Sequence, residues 1–149
     1  MRQANDDTGA APAAEAAPVT IRVCTSCAAP DSEDAPTAGE RLFRSLLEAR
    51  ATAPEAFRAI AIEPVDCFAV CERPVTLAFQ AAGKWSYVVG DVAPDIAVEE
   101  VRRAARAVAD SPHGVPKLNR RPAFFRSGVV CRLPPAPVSA PGGQQEPRP

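Results

Sequence analysis

Histidine, tryptophan, tyrosine and methionine are nearly absent from this sequence, each occurring once in 149 residues. A strong charge of either sign is also missing, because 17 lysines and arginines are balanced by 18 aspartates and glutamates. Nucleic-acid-binding domains usually show a strongly basic balance or patch, so the composition argues against that class. There is also no convincing Cys–His pair, phosphate-binding loop or framed carboxylate pair. We therefore expect a protein that is not an enzyme by itself.

Long apolar runs are missing as well. The longest ones extend over only a few residues, whereas a membrane-spanning helix needs about 20. Charged residues interrupt the first 18 positions, so no secretory signal is expected. These absences predict a cytoplasmic protein with no membrane partner. Thiols stay reduced in that compartment, so clustered cysteines indicate metal or redox chemistry more than stapling disulfides.

Proline is abundant, and its distribution divides the chain. Residues 1–18 have no large apolar side chain after Met1, and residues 134–149 contain six of the 17 prolines. Neither segment can bury enough apolar surface to offset the entropy of ordering. We predict two disordered tails around one folded domain, residues 19–133.

Hydrophobic periodicity predicts an α/β (α+β) domain. Alternation indicates strands at 19–24, 57–62, 75–79 and 84–88, with a last short strand or extended segment at 129–133. A capping box formed by Thr37 and Glu40 begins one helix, and a second runs from Pro94 to about Ala109. The β-α-β-β-β-α order is that of a single thioredoxin-like domain, in which the loop containing Cys67 and Cys71 replaces the middle helix.

Two cysteine pairs follow neighbouring strands. Cys24 and Cys27 lie at the end of the first strand, and Cys67 and Cys71 follow the second. Parallel strands joined by a crossover helix end at the same edge of a sheet, so we expect the pairs to meet there. Four thiolates at one edge can bind a [2Fe–2S] cluster or a tetrahedral Zn²⁺. The alternative is four small buried hydrophobic side chains.

The spacing of the cysteines favours the cluster without excluding zinc. Zinc ribbons use two tight knuckles about 15–20 residues apart, whereas here 39 residues separate Cys27 from Cys67 and the second pair is CxxxC. A thiol–disulfide oxidoreductase is a third hypothesis. It requires a helix N-terminus at the CxxC pair, and nine residues separate Cys27 from the predicted cap at Thr37.

Several motifs together resemble a known family. They are Cys24-Thr25-Ser26-Cys27, Gly39-Glu40-Arg41-Leu42, Cys67-Phe68-Ala69-Val70-Cys71-Glu72-Arg73-Pro74, Gly83-Lys84-Trp85-Ser86-Tyr87, Gly90-Asp91 and Asp110-Ser111-Pro112. Over roughly 19–135 the chain is similar to an uncharacterised bacterial family of predicted metal-binding proteins, in the thioredoxin-like [2Fe–2S] ferredoxin class. The resemblance implies that Cys24, Cys27, Cys67 and Cys71 are the metal ligands. Members often carry a further cysteine where this chain has Val75, which favours a simple four-ligand site.

Other candidate residues have simpler interpretations. Arg73 follows Cys71 by two positions and would offset the charge of a bound cluster, unless it is a solvated loop arginine. We expect Cys131 to be buried and structural, and His113 to lie in a surface turn. The arginines of the second helix, Arg102, Arg103 and Arg106, most simply predict a solvated helix face, and the alternative is a docking patch for an acidic partner.

The leading functional hypothesis is a small ferredoxin-like [2Fe–2S] protein. It would carry electrons, or handle clusters or metal, for a redox or metal-handling partner protein. The alternatives are a Zn²⁺-binding module with four cysteine ligands, for metal trafficking or protein contacts, and the thiol–disulfide oxidoreductase. An exposed edge of the predicted four-stranded sheet would permit a homodimer.

Overall fold

The computed structural model describes residues 16–27 and 34–137. Most of the two predicted tails lies outside these residues, so their disorder stays a prediction. Within the described ranges, no helix combines the length and apolar character needed to cross a membrane.

A five-stranded sheet forms the centre of the domain. Its strands, in the spatial order β2-β1-β3-β4-β5, are β1 (Val19–Cys24), β2 (Ile60–Val65), β3 (Leu77–Gln80), β4 (Ser86–Val89) and β5 (Val129–Leu133). β1 and β2 are parallel, and the other neighbouring pairs are antiparallel. The predicted parallel unit and the predicted hairpin are therefore both present.

Three helices complete the fold: α1 (Ala38–Thr52), α2 (Val98–Asp110) and α3 (Ala123–Gly128). α1 and α2 both contact β1 and each other, so they cover the same face of the sheet. Val19, Ile21 and Val23 of β1 alternate onto that face and are fully buried. The buried face of α1 comes from Leu42 and Leu46, as a 3.6-residue period requires.

The capping box at the start of α1 is confirmed. The Glu40 backbone N–H donates to the Thr37 hydroxyl at 3.0 Å, and the Thr37 N–H donates to the Glu40 carboxylate at 2.8 Å. Two backbone donors that lack partners within the helix are satisfied reciprocally. This fixes where α1 begins, which matters for the cysteine site below.

The predicted second strand, 57–62, is placed three residues too early. Turns occupy 54–59, and Ala59 has φ +61°, a left-handed conformation that a strand cannot include. β2 instead continues through Pro64 to Val65. Because β2 is an edge strand, a proline that lacks a backbone donor is tolerated there.

The C-terminal part of the domain contains the last short strand predicted at 129–133 and a helix that was not predicted. Residues 123–128 form α3, and β5 pairs with β4 as the fifth strand of the sheet. Phe125 of α3 is fully buried, with its ring centroid 5.6 Å from that of Phe79 and 5.0 Å from that of Tyr87. This aromatic cluster joins α3 to the main core.

The expectation that Cys131 is buried is wrong, because its side chain is exposed. Cys131 pairs with Val88 across β4 and β5. The neighbours of Val88 in β4, Tyr87 and Val89, are buried in the core. Side chains alternate along a strand, so Val88 and Cys131 point to the face opposite α1 and α2. The apolar sequence around Cys131 reflects sheet pairing, not core packing.

Truncating the aromatic cluster will test its contribution. We expect Phe125→Ala to lower the free energy of unfolding by about 3–5 kcal/mol through the cavity it creates. The control is Leu118, which is 64% exposed. Leu118→Ala should change the free energy of unfolding by less than about 0.5 kcal/mol. Urea unfolding followed by circular dichroism measures both, and equal effects would contradict the packing role of Phe125.

Candidate metal centre

Both cysteine segments lie at one edge of the sheet, as the predicted topology requires. Cys24 is the last residue of β1, and Cys67 comes two residues after the end of β2. Hydrogen bonds join the two segments directly. The Thr25 N–H donates to the Val65 carbonyl at 2.8 Å, and the Ser26 hydroxyl donates to the Asp66 carbonyl.

The four thiols form one buried pair and one exposed pair. Cys24 and Cys27 are 2% and 4% exposed, whereas Cys67 and Cys71 are on the surface. The Sγ atoms of Cys67 and Cys71 are 3.9 Å apart. Cys24 Sγ lies 3.7 Å from the carbonyl oxygen of Asp66, so the buried pair borders the loop that carries the exposed pair.

The spacing within the exposed pair matches metal chelation. Two thiolates about 2.3 Å from one tetrahedral metal ion are separated by about 3.8 Å. Across the described ranges, no three His, Cys, Asp or Glu side chains converge tightly enough to hold one ion. The thiols are arranged two by two, and a [2Fe–2S] cluster with four cysteine ligands uses two thiolates on each of its irons.

Backbone groups of residues 68 and 69 act on the thiols. The Ala69 N–H donates to Cys67 Sγ at 3.1 Å, and the backbone of Phe68 acts to lower the pKa of Cys24. Ala69 has φ +62°, a left-handed conformation that shapes this loop. Such donors disperse negative charge on thiolates and on any group bound to them. The loop that carries Cys67 and Cys71 therefore supplies such a donor to its own thiol.

The two buried thiols differ in acidity. Burial opposes ionisation of Cys24, but hydrogen bonds from Cys27, Phe68 and Ser26 outweigh it and lower the pKa of Cys24. Burial, reinforced by the hydrogen bond to Cys24, raises the pKa of Cys27 to about 11. On the surface, the hydrogen bond with Cys67 raises the pKa of Cys71, and the charge of Cys24 adds to this.

The N-terminus of α1 is next to the CxxC segment, contrary to the expectation from sequence separation. The Gly39 N–H donates to the Cys27 carbonyl at 3.2 Å, and the Thr37 hydroxyl donates to the Thr25 carbonyl. A Cβ atom on Gly39 would overlap the Cys24 carbonyl oxygen. Gly39 therefore permits an approach that no other residue type allows.

Sequence reasoning missed Thr76, the one buried polar residue of the described chain. Its carbonyl accepts from the Cys24 N–H at 3.0 Å, and its hydroxyl donates to the Arg73 carbonyl at 3.2 Å. Hydrogen bonding by Thr76 also acts to lower the pKa of Cys27. A threonine within an apolar strand, just after the cysteine loop, was the available signal.

Arg73 holds the end of the cysteine loop. Its Nε donates to the Asp91 carboxylate at 2.8 Å, and its Nη2 contacts the Gly128 carbonyl at 3.4 Å. The Asp91 backbone N–H in turn donates a hydrogen bond to the Arg73 carbonyl at 3.0 Å. These contacts attach the loop to the start of β5. That Arg73 offsets the charge of a bound cluster stays a prediction.

Two other candidates lie away from this edge. Three strand spacings, about 14 Å in all, separate β1 from β5 and hence Cys24 from Cys131. His113 is exposed in its predicted turn, and its carbonyl accepts from Trp85, next to the opposite end of β4.

One protein-family model matches most of this sequence. The model described as "Protein of unknown function (DUF1636)" matches residues 21–135, more than half of the chain. The chain belongs to the DUF1636 family. No curated protein shows a significant match to it.

Among solved structures, this chain is similar to a thioredoxin-like [2Fe-2S] ferredoxin from Aquifex aeolicus. A 1.5 Å crystal structure of the wild-type form has 18% identity, a TM-score of 0.50, and coverage of 78% of this chain and 99% of that chain. A second structure described in the same terms has 20% identity, a TM-score of 0.49, and coverage of 83% and 100%. At this identity the likeness shows the fold, which is thioredoxin-like as predicted.

The close approach of α1 to the cysteine segment can be tested at Gly39. We expect Gly39→Ala to lower the free energy of unfolding by about 3 kcal/mol or more, because the methyl group overlaps the Cys24 carbonyl. The control is Gly83→Ala, where nothing lies within 4 Å of the added Cβ. Its positive φ alone should cost about 1–2 kcal/mol. If urea unfolding gives the two variants the same stability, the tight contact at Gly39 is refuted.

Proposed function

We propose that this protein binds one [2Fe–2S] cluster through Cys24, Cys27, Cys67 and Cys71 and serves as a ferredoxin-like electron carrier or cluster-handling protein. The observation that supports this most directly is the pairing of the thiols. One pair is buried and one exposed, with metal-chelating separation in the exposed pair. The described function of the protein whose fold it shares agrees with the proposal.

Zinc fits the same thiols less well. A structural Zn²⁺ site needs four ligands around one ion, whereas no three potential ligands in the described residues converge on one point. When bound, a [2Fe–2S] cluster accepts and donates single electrons at a potential set by charge, hydrogen bonds and solvent exposure. The backbone of Phe68 and the N–H group of Ala69 would stabilise the anionic ligands, and Thr76 would support Cys27.

The difference in exposure gives the two pairs different roles. Cys24 and Cys27 are packed in the core and would anchor the group. Cys67 and Cys71 face solvent, so a partner protein would approach on their side. The exposed carboxylates Asp66 and Glu72 flank this pair. We therefore propose a redox or metal-handling partner whose docking face carries positive charge, since complementary charges steer association.

Anaerobic purification followed by absorption spectroscopy and metal analysis tests the proposal. We expect a red-brown protein with two irons and two acid-labile sulfides per chain, bleached by a one-electron reductant. Cys67→Ser and Cys71→Ser should each lower iron content by more than half, because each removes one of four ligands. A colourless protein with one zinc per chain would replace this proposal with the four-cysteine zinc module.

Cys131→Ser is the matched control. This cysteine is also exposed but lies on the far strand, so its removal should leave the spectrum and the iron content unchanged. Loss of iron in Cys131→Ser comparable to that in Cys71→Ser would show that the ligand set is wrong. Insulin reduction by the metal-free protein tests the thiol–disulfide alternative, which the start of α1 next to Cys27 leaves open. We expect no activity, because Cys24 and Cys27 are buried and a disulfide substrate could not reach them.

A further inference from the structure

A cleft lies on the surface of α2, away from the cysteines. It encloses about 680 Å³ between α2 and the segment that follows it, residues 111–120. We call it the α2 cleft. Its charged and polar lining residues are Arg102, Arg103, Arg106, Asp110, Ser111, Lys117, Asn119 and Arg120.

The walls of the α2 cleft are fixed by hydrogen bonds. The Ser111 hydroxyl donates to the Ala107 carbonyl at 2.7 Å, which ties the segment to the end of α2. The Trp85 N–H donates to the His113 carbonyl at 2.9 Å, and Arg121 Nε donates to the Pro116 carbonyl at 2.9 Å. The second wall is thus attached at two points, to the end of α2 and to Trp85, and the bond between Arg121 and Pro116 stabilises the segment itself.

The lining carries an excess of two positive charges, from Lys117 and Arg120, because Arg102, Arg103 and Arg106 are each paired with a carboxylate. Five cationic side chains and one carboxylate line the cleft, whereas the net charge of the chain is −1. The arginines of α2, predicted as an ordinary solvated face, are brought opposite Lys117 and Arg120. Sequence periodicity within α2 does not reveal this arrangement, because the second wall comes from another segment.

The three arginines of α2 differ in how many of their N–H donors are already used. Arg102 and Arg106 each bond two partners within the protein, whereas Arg103 bonds one. Arg102 bonds Glu99 through two nitrogens and the Ala56 carbonyl at 3.2 Å through the third. Arg106 bonds the Ala17 carbonyl at 3.1 Å and Asp110 at 3.0 Å.

Arg103 uses a single nitrogen, which donates to Glu100 at 2.9 Å. Lys117 and Arg120 are exposed and make no ion pair with any described residue. Arg103, Lys117 and Arg120 therefore retain charged donors for a ligand.

We propose that the α2 cleft binds a small polyanion, a molecule that carries two or more phosphate or carboxylate groups. Its volume lies in the range of small-molecule sites, about 300–1,000 Å³. Guanidinium and ammonium donors form charge-assisted hydrogen bonds with such groups. Arg102 and Arg106 are paired with Glu99 and Asp110 and shape one wall, whereas Arg103, Lys117 and Arg120 supply the free donors.

This site is separate from the metal centre. Arg106 contacts Ala17, just before the start of β1, whereas Cys24 ends that strand. Six strand residues, about 20 Å at 3.3 Å per residue, lie between the two ends. Anion binding in the α2 cleft can therefore be tested independently of cluster binding, and either proposal can fail without the other.

Isothermal titration calorimetry of the full-length protein as purified will test the site. The probes are inorganic pyrophosphate and citrate, whose relative affinities separate a phosphate from a carboxylate preference. We expect saturable 1:1 binding of at least one probe. The double variant Lys117→Gln/Arg120→Gln should weaken it at least about tenfold, because two charge-assisted bonds are lost.

Two further variants make the test specific. Asp110→Asn removes the one carboxylate of the cleft and should tighten binding about threefold or more by removing a like charge. Arg44→Gln/Arg58→Gln removes two exposed arginines elsewhere and should leave the affinity unchanged. Absence of binding to both probes at millimolar concentration would overturn the proposal. So would an equal loss in the control, or weaker binding by Asp110→Asn.

Discussion

The parallel pairing of β1 with β2 is the constraint on which the rest of the site depends. Its register places Cys24 opposite Val65, so the two cysteine loops begin at the same level of one sheet edge. Thr25 and Ser26 then bond directly to the residues before Cys67. No antiparallel pairing of these strands could do this, because one loop would then leave from the opposite edge.

The surrounding structure makes the two cysteine pairs unequal. Core packing, the start of α1 and Thr76 enclose Cys24 and Cys27, and the close contact at Gly39 leaves that segment little room to move. Cys67 and Cys71 are in a surface loop whose end is fixed by Arg73 to Asp91 and Gly128. A group bound by both pairs would join a rigid core element to a more accessible loop, which suits transfer to a partner at the surface.

The parts of this arrangement that sequence could predict are those encoded by neighbouring residues. Alternation gave β1 its correct bounds, and Thr37 with Glu40 gave the start of α1. These elements, with the rule that parallel strands joined by a crossover helix end at the same edge, predicted that the two cysteine pairs meet. β2 was misplaced because the left-handed conformation of Ala59 has no signature in its residue type. The contact of Gly39 with Cys24, the burial of Thr76 and the exposure of Cys131 depend on tertiary packing, which local patterns do not contain.

The length of β1 separates the two surfaces that carry the proposed functions. Cys24 ends the strand, and the segment before its first residue is bonded to Arg106 of the α2 cleft. A partner of the proposed electron carrier would approach the exposed Cys67 and Cys71, which lie about 20 Å along the strand from the α2 cleft. The cleft is thus badly placed for an electron-transfer partner and well suited to a small ligand. An anion there can bind without competing with a protein docked over the cysteines, so both sites can be occupied at once.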